Sequence, residues 1–427
     1  MRTAAWALLA STGLWPQTAQ ETGLDPETLL LAQIKVRMEE NLLRQPDYTC
    51  LETIERSRRR PPARRYQLLD TVRLEVALVG GKELFSWPGA REFQDRDLRE
   101  LVPTGAIGTG SFALHARSVF LSSWPRYRRV GEETLAGRRC HRYDYSVALP
   151  GSGYYLRVGE RKARVPYEGS FWVDAESLDL VRLIVHARQI PPELELESVT
   201  ETIDYARLPI GQGEFLLPVR SETVLVDVAG AEHRNRTSFT DCRQYVGESR
   251  LTFAEPPESL PAPAPAPAPV EIELPENAYV ELELKSVIEG SRSRIGDPVE
   301  AVLRTPIRRG NEVVMPKGAV ARGRLVHLER LGMRQGWYVV AIQFEALEHA
   351  GRRAALLARL EQIDSALSFW GRPAVSASLP SGVLLRRPAL EALPGAGVFY
   401  VRGEMIRLGP GTWMTWRTIK KPGGTSP

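Results

Sequence analysis

Apolar residues in this chain recur mostly at every second position. Val72, Leu74, Val76 and Leu78 alternate with Arg73, Glu75 and Ala77, the pattern of a strand with one buried face. Gly80-Gly81 makes a turn into Lys82 to Trp87. Further strand patterns run from Tyr48 to Arg56, from Gly131 to Tyr145, from Glu195 to Ala206, from Glu214 to Asp227 and from Asn235 to Val246. Between them, Gly169 to Asp174 and Leu180 to Val185 form a hairpin around a polar turn. Phe171 and Val173 are predicted to share one face, and Val181, Leu183 and Val185 one face of the return strand.

Helical spacing is confined to two places. Asp25-Pro26-Glu27 is a helix start, with an N-cap, proline in the first turn and an early acid. Leu31, Ile34, Met38 and Leu42 follow at helical intervals until Gln45-Pro46. Phe112 to Phe120 reads as a short helix. The preceding Gly108 and Gly110 formally fit a dinucleotide-binding pattern, but that pattern needs a strand before it, and Pro103 and Gly105 spoil one.

Alternating proline from Pro261 to Pro269 removes donors and fixes φ, so this stretch is predicted to be an extended polyproline II spacer. It marks off a signal peptide at 1–20, an N-terminal domain at 24–253, a linker at 254–275 and a C-terminal β domain at 276–420. In the last of these, Val280, Leu282 and Leu284 alternate with acids and a lysine. Tyr338, Val340, Ile342 and Phe344 alternate with Val339, Ala341, Gln343 and Glu345, and Thr412 to Trp416 reads as a hairpin with its tryptophans in the core. The segment Ala354 to Leu360 is ambiguous between helix and strand. The expected fold is mainly β: a curved antiparallel half-barrel sheet with an N-terminal helix, then a small β-barrel or sandwich.

Composition adds location rather than chemistry. Arg2, an apolar run from Ala4 to Trp15 and the small and polar residues to Glu21 match a cleaved secretion signal, too short to span a bilayer. The expected location is periplasmic or secreted, with no transmembrane segment in the mature chain. Three cysteines, Cys50, Cys140 and Cys242, suggest one disulfide and one thiol in an oxidising compartment. Cys50–Cys242 is the favoured pair because it closes a long loop; three separate buried thiols are the alternative. The net charge of +4 gives no reason to expect nucleic acid. Arg56 to Arg65, however, holds six arginines around Pro61-Pro62. That block reads either as a solvated hairpin tip or as a contact for lipid headgroups or an acidic polymer.

The motif search is negative for a nucleophile elbow, a zinc-binding His-Glu-x-x-His, a Cys-x-x-Cys or a phosphate-binding loop. No catalytic, metal-binding or cofactor-binding residues are nominated, and no cofactor is expected.

The segments GEETLAGRRCHRYDY, GSFWVDAESLDLVRLIV and EFLLPVRSETV, behind an N-terminal helix, resemble the periplasmic lipoprotein-carrier superfamily. The resemblance covers Leu24 to Phe253. It implies an incomplete barrel around a helix, enclosing an apolar cavity for acyl chains or an acylated partner. Phe171, Val173, Val181, Leu183 and Val185, with Val72, Leu74 and Val76, are then the expected ligand-facing residues. From Val280 to about Phe344 the chain is similar to the β-rich domain of the type IV secretion and conjugation channel scaffold family, which implies envelope assembly without chemistry.

Three readings follow. A non-enzymatic carrier of lipid or an acylated partner requires an open apolar cavity. A structural envelope adaptor, contacting protein or wall polymer, requires filled strands and an exposed aromatic or basic patch. A hydrolase with a dispersed site requires a polar cleft with perturbed carboxylates.

Overall fold

The computed structural model describes residues 25–90, 93, 95, 97–245, 269–331, 337–364, 395–402 and 405–420. The signal-peptide stretch 1–20 and most of the proline spacer lie outside the described residues.

Helix α1 (Pro26–Leu43) begins where Asp25 accepts a hydrogen bond from the Thr28 amide at 3.3 Å, with Pro26 in the first turn. Its buried stripe is Ile34, Met38 and Leu42. The first domain then lays down β1 (Tyr48–Arg59), β2 (Gln67–Val79), β3 (Lys82–Ser86), the short helices α2 (Leu98–Leu101) and α3 (Leu114–Phe120), β4 (Arg126–Leu135), β5 (Arg138–Val147), β6 (Tyr155–Val158), β7 (Arg161–Arg164), β8 (Tyr167–Asp174), β9 (Leu180–Ala187), β10 (Leu196–Ile210), β11 (Gly213–Asp227) and β12 (Glu232–Gln244).

Ten of these strands form one antiparallel sheet in the order β3-β2-β1-β12-β11-β10-β9-β8-β5-β4, with β6 and β7 as a separate hairpin. The first strand therefore pairs with the last. Cys50 of β1 and Cys242 of β12 are joined by a disulfide, 192 positions apart in the sequence. Cys140 is a buried free thiol.

The strands from Val270 onward form a curled nine-stranded sheet, called here the second domain for its expected boundaries, with two short two-stranded sheets beside it. Its central strand, Trp337–His349, pairs with Val320–Leu331 on one side and with Ala396–Arg402 and Arg352–Ala355 on the other. The stretch 354–360, ambiguous in sequence, contributes to two strands, Arg352–Ala355 and Ala358–Asp364. The closing segment is not a hairpin. Trp413–Thr418 is one strand between Tyr279–Leu284 and Ala358–Asp364. Trp416 is buried in the core there, whereas Trp413 is exposed, with the Arg304 guanidinium 3.8 Å from its ring centroid.

The two sheets are packed against one another. In Trp337–His349, Tyr338, Val340, Ile342 and Phe344 fill the second domain's own core. Trp337, Val339 and Ala341 face the other way and join Val72, Leu74 and Val76 in a shared cluster with Val398 and Tyr400. Both faces are buried over Trp337 to Ile342, which is why that stretch reads as an unbroken apolar run. Backbone bonds tie the seam: the Arg73 amide donates to the Ile295 carbonyl at 2.7 Å, and the Ile295 amide to the Thr71 carbonyl at 2.9 Å. Gly296, at φ +98°, passes so close to β2 that a Cβ there would sit 2.3 Å from the Arg73 carbonyl oxygen. Only glycine tolerates both conditions.

Candidate functional site

The residues nominated for a ligand face fall into two separate clusters. Phe171, Val173, Leu183 and Val185 line the sheet beneath Ile34 and Met38 of α1 and Val119 and Phe120 of α3. The Phe120 and Phe171 rings meet edge to face at 5.0 Å. Val72, Leu74 and Val76 instead meet the second domain. The two sets are not brought together around one space.

Val181 is a correction. A bulge after Trp172 pairs Val173 with Leu180 and Trp172 with Arg182. Leu180 takes the core position, and Val181 is left half-buried. Strict alternation read from sequence cannot anticipate one extra residue in a strand.

Polar groups interrupt the buried face. Glu83 caps the start of α3: its carboxylate accepts from the amides of Gly110 at 2.7 Å, Ala113 at 2.8 Å and Leu114 at 3.2 Å. This is the structural role of the glycine-rich stretch that formally matched a nucleotide motif. Glu52 is buried, and one of its oxygens has no hydrogen-bond partner. Burial, then the charges of Glu83 and Glu201, push its pKa up to about 8. The Tyr48 and Tyr205 hydroxyls are also buried without partners. Sequence gave no sign of this group, because its members come from β1, β3, α3 and β10. Burial raises the pKa of Glu52 and Glu83, and neither lines the cavities described below.

The open features lie at one rim of the sheet, where β1 ends and β12 begins. The β1–β2 loop carries exposed Arg60, Arg64 and Arg65. Arg59 contacts Glu232, and Tyr66 donates to the same carboxylate. The Arg234 guanidinium lies 3.7 Å from the Tyr66 ring centroid and that of Arg59 at 4.7 Å. The neighbouring β11–β12 turn touches this loop: a Cβ at Gly230 would lie 3.5 Å from Pro61. Leu68, at the start of β2, is 56% exposed, and Val228, on the β11–β12 turn, 68% exposed. Exposed Trp124, Leu149 and Tyr155 lie in connections at the same end of the strands.

No family model matches the chain, and no curated protein matches it. Solved structures do. A domain of an outer membrane lipoprotein-sorting protein from Vibrio parahaemolyticus is 11% identical at a TM-score of 0.29, covering 52% of this chain and 93% of that one. A DUF1329 family protein from Desulfovibrio piger is also 11% identical at a TM-score of 0.30, covering 51% of this chain and 92% of that one.

Two cavities bear on it, and both are smaller than a typical pocket for a drug-sized ligand. One of ≈ 220 Å³ lies between α1 and the β10–β11 hairpin, lined by Arg37, Asn41, Arg44 and Arg207. There, Asp179 accepts from Arg37 at 3.3 Å, Asn41 at 3.0 Å and Arg207 at 2.6 and 2.8 Å. The other, of ≈ 210 Å³, lies just inside the arginine rim. No helix among the described residues is long and apolar enough to cross a membrane.

Proposed function

We propose that this chain is a non-enzymatic adaptor of the cell envelope, periplasmic or secreted, that docks on an anionic lipid surface through its arginine-rich rim. The observation carrying this reading is free charge and exposed apolar surface at one end of the sheet. Arg60, Arg64 and Arg65 are exposed on the β1–β2 loop, Leu68 at the start of β2, and Val228 on the β11–β12 turn at the same end. Arginines without partners attract phosphate headgroups, and bare aliphatic side chains next to them gain by entering the headgroup boundary. A soluble acidic polymer would reward the charge and leave the aliphatic groups unused.

The carrier reading finds less support. The faces that would hold acyl chains are covered by α1 and α3 on one side and by the second domain on the other. Uptake of a chain there requires one of those covers to leave.

The test is co-sedimentation of the mature protein with vesicles of phosphatidylglycerol and, separately, phosphatidylcholine. Each surface arginine contributes about 1 kcal/mol at an anionic membrane, so the triple change of Arg60, Arg64 and Arg65 to Gln should weaken binding about a hundredfold. Binding should also fall with added salt. Equal binding to both vesicle types, or none to either, would sink the proposal. Stoichiometric acyl lipid in an organic extract of the purified protein would return the argument to the concave face.

A further inference from the structure

We propose that the cavity between the two domains, just inside the arginine rim, binds a phosphate group held by Arg58 and His233. This site stands apart from docking at the rim, because its walls are β1, β12, the loop after α2 and the second domain.

Two cross-strand pairs build one wall. Arg56 lies opposite Asn235, and Arg58 opposite His233, in the β1–β12 register. The loop 104–106 closes another side, and Glu329 of the second domain a third. Residues from both domains therefore define the space, the usual setting for a ligand site.

The charges within it are unequally satisfied. Asp70 is fully engaged by Arg56, with Nε and Nη2 each 2.6 Å from a carboxylate oxygen. The same Arg56 guanidinium donates to the Thr104 carbonyl. Glu329 is 3.2 Å from the Nε2 of buried His327, whose Nδ1 is 3.4 Å from the Thr104 hydroxyl. Asn235 donates to the Ala106 carbonyl at 3.0 Å. What remains is positive. The Arg58 Nε is buried without a hydrogen-bond partner, and no ion pair to Arg58 occurs among the described residues. Directly opposite it is half-buried His233.

The Arg58 guanidinium and the His233 imidazole face each other across two strands, the charge of Asp227 reaches both, and the Arg58 Nε still lacks an acceptor. Burial and then Arg60 hold the Arg58 guanidinium below its usual range, against the pull of Asp227. Burial and then Arg58 hold the His233 imidazole down. Donors converging from two adjacent strands suit a tetrahedral oxyanion, whose oxygens do not share a plane; a carboxylate would be satisfied by the guanidinium fork alone. The volume of ≈ 210 Å³ admits a phosphomonoester. A Cβ at Gly105 would lie 2.7 Å from the Arg56 guanidinium, so glycine there lets the loop close over the arginine without displacing it.

The source of the phosphate is a free phosphomonoester or a lipid headgroup. The experiment uses the mature full chain, with inorganic phosphate and glycerol 1-phosphate as probes in titration calorimetry. Saturable uptake is expected, weakened about tenfold or more by Arg58→Gln, since one charge-assisted hydrogen bond is lost. Arg138→Gln, at the exposed start of β5 and away from the cavity, should leave it unchanged. Arg58→Gln should also melt no lower than the parent, because Arg58 has no partner to lose. Absence of uptake, or equal weakening by both substitutions, overturns the proposal. Competition between glycerol 1-phosphate and phosphatidylglycerol vesicles in the parent but not in Arg58→Gln supports it with the headgroup as source. Uptake without competition supports it with a soluble phosphomonoester, and leaves rim docking to be judged by its own test.

Discussion

His115 and Glu201 form an ion pair in the interior of the first domain, with Nε2 and Oε2 2.9 Å apart and both side chains buried. Burial alone would lower the histidine's pKa; the charge and contact of Glu201, followed by Glu83, outweigh it and the net shift is upward. A raised histidine stabilises the fold fully below its ordinary value of 6.5, and that stability is lost as pH rises through the folded value. Glu201→Gln should therefore cost about 3–5 kcal/mol at pH 6 and flatten the decline above it. Urea midpoints from pH 6 to 9 give the answer. An unchanged slope would remove the pair from this role.

Glu52 pulls in the same direction through a different window. Its folded pKa, near 8, exceeds the ordinary 4.5, so the proton it holds in the fold is released on unfolding. The associated stability is complete below pH 4.5 and lost as pH rises to 8. Glu52→Gln keeps the neutral shape and should raise the melting temperature at neutral pH, with a gain that grows between those limits. A lower melting temperature at pH 8 would mean that the carboxylate has a favourable partner there.

Trp337 lies on the seam between the sheets, 6% exposed, in the cluster that joins Val72, Leu74 and Val76 to the second domain. Trp337→Ala should cost about 3–5 kcal/mol. Because the residue belongs to the shared cluster, calorimetry should show one transition in the parent and two in the variant. A single, merely lowered transition would place its contribution within one domain.

Much of the first domain was legible because its strands bury one face. Val72, Leu74 and Val76 alternate with polar residues and lie inward, as the pattern requires. The helix start at Asp25 was equally plain, since capping is a local matter. The interior polar residues were not. Glu52 and Glu201 occupy inward positions of β1 and β10, where the alternation rule expects apolar side chains, and the contact of Glu201 with His115 joins positions far apart in sequence. Val181 was misplaced because a bulge costs one residue and leaves no mark in composition. The seam is illegible for a related reason. Val339 and Ala341 alternate with the set that fills the second core, and nothing local shows that a second sheet covers them. At the rim, the arginine block stands out, but Leu68 and Val228 are far apart in sequence, and only the β1–β12 register sets their two turns at the same end of the sheet.

The pairing of β1 with β12 also sets an order of assembly. A chain that emerges N-terminus first presents Tyr48–Arg59 long before Glu232–Gln244 exists to cover its open edge. Until then β1 can pair only with β2, and the Cys50 thiol must wait through most of the domain's synthesis for Cys242. Closure of the sheet and formation of the bond thus become late, coincident events, and a domain caught without the bond is one whose last strand has not yet arrived.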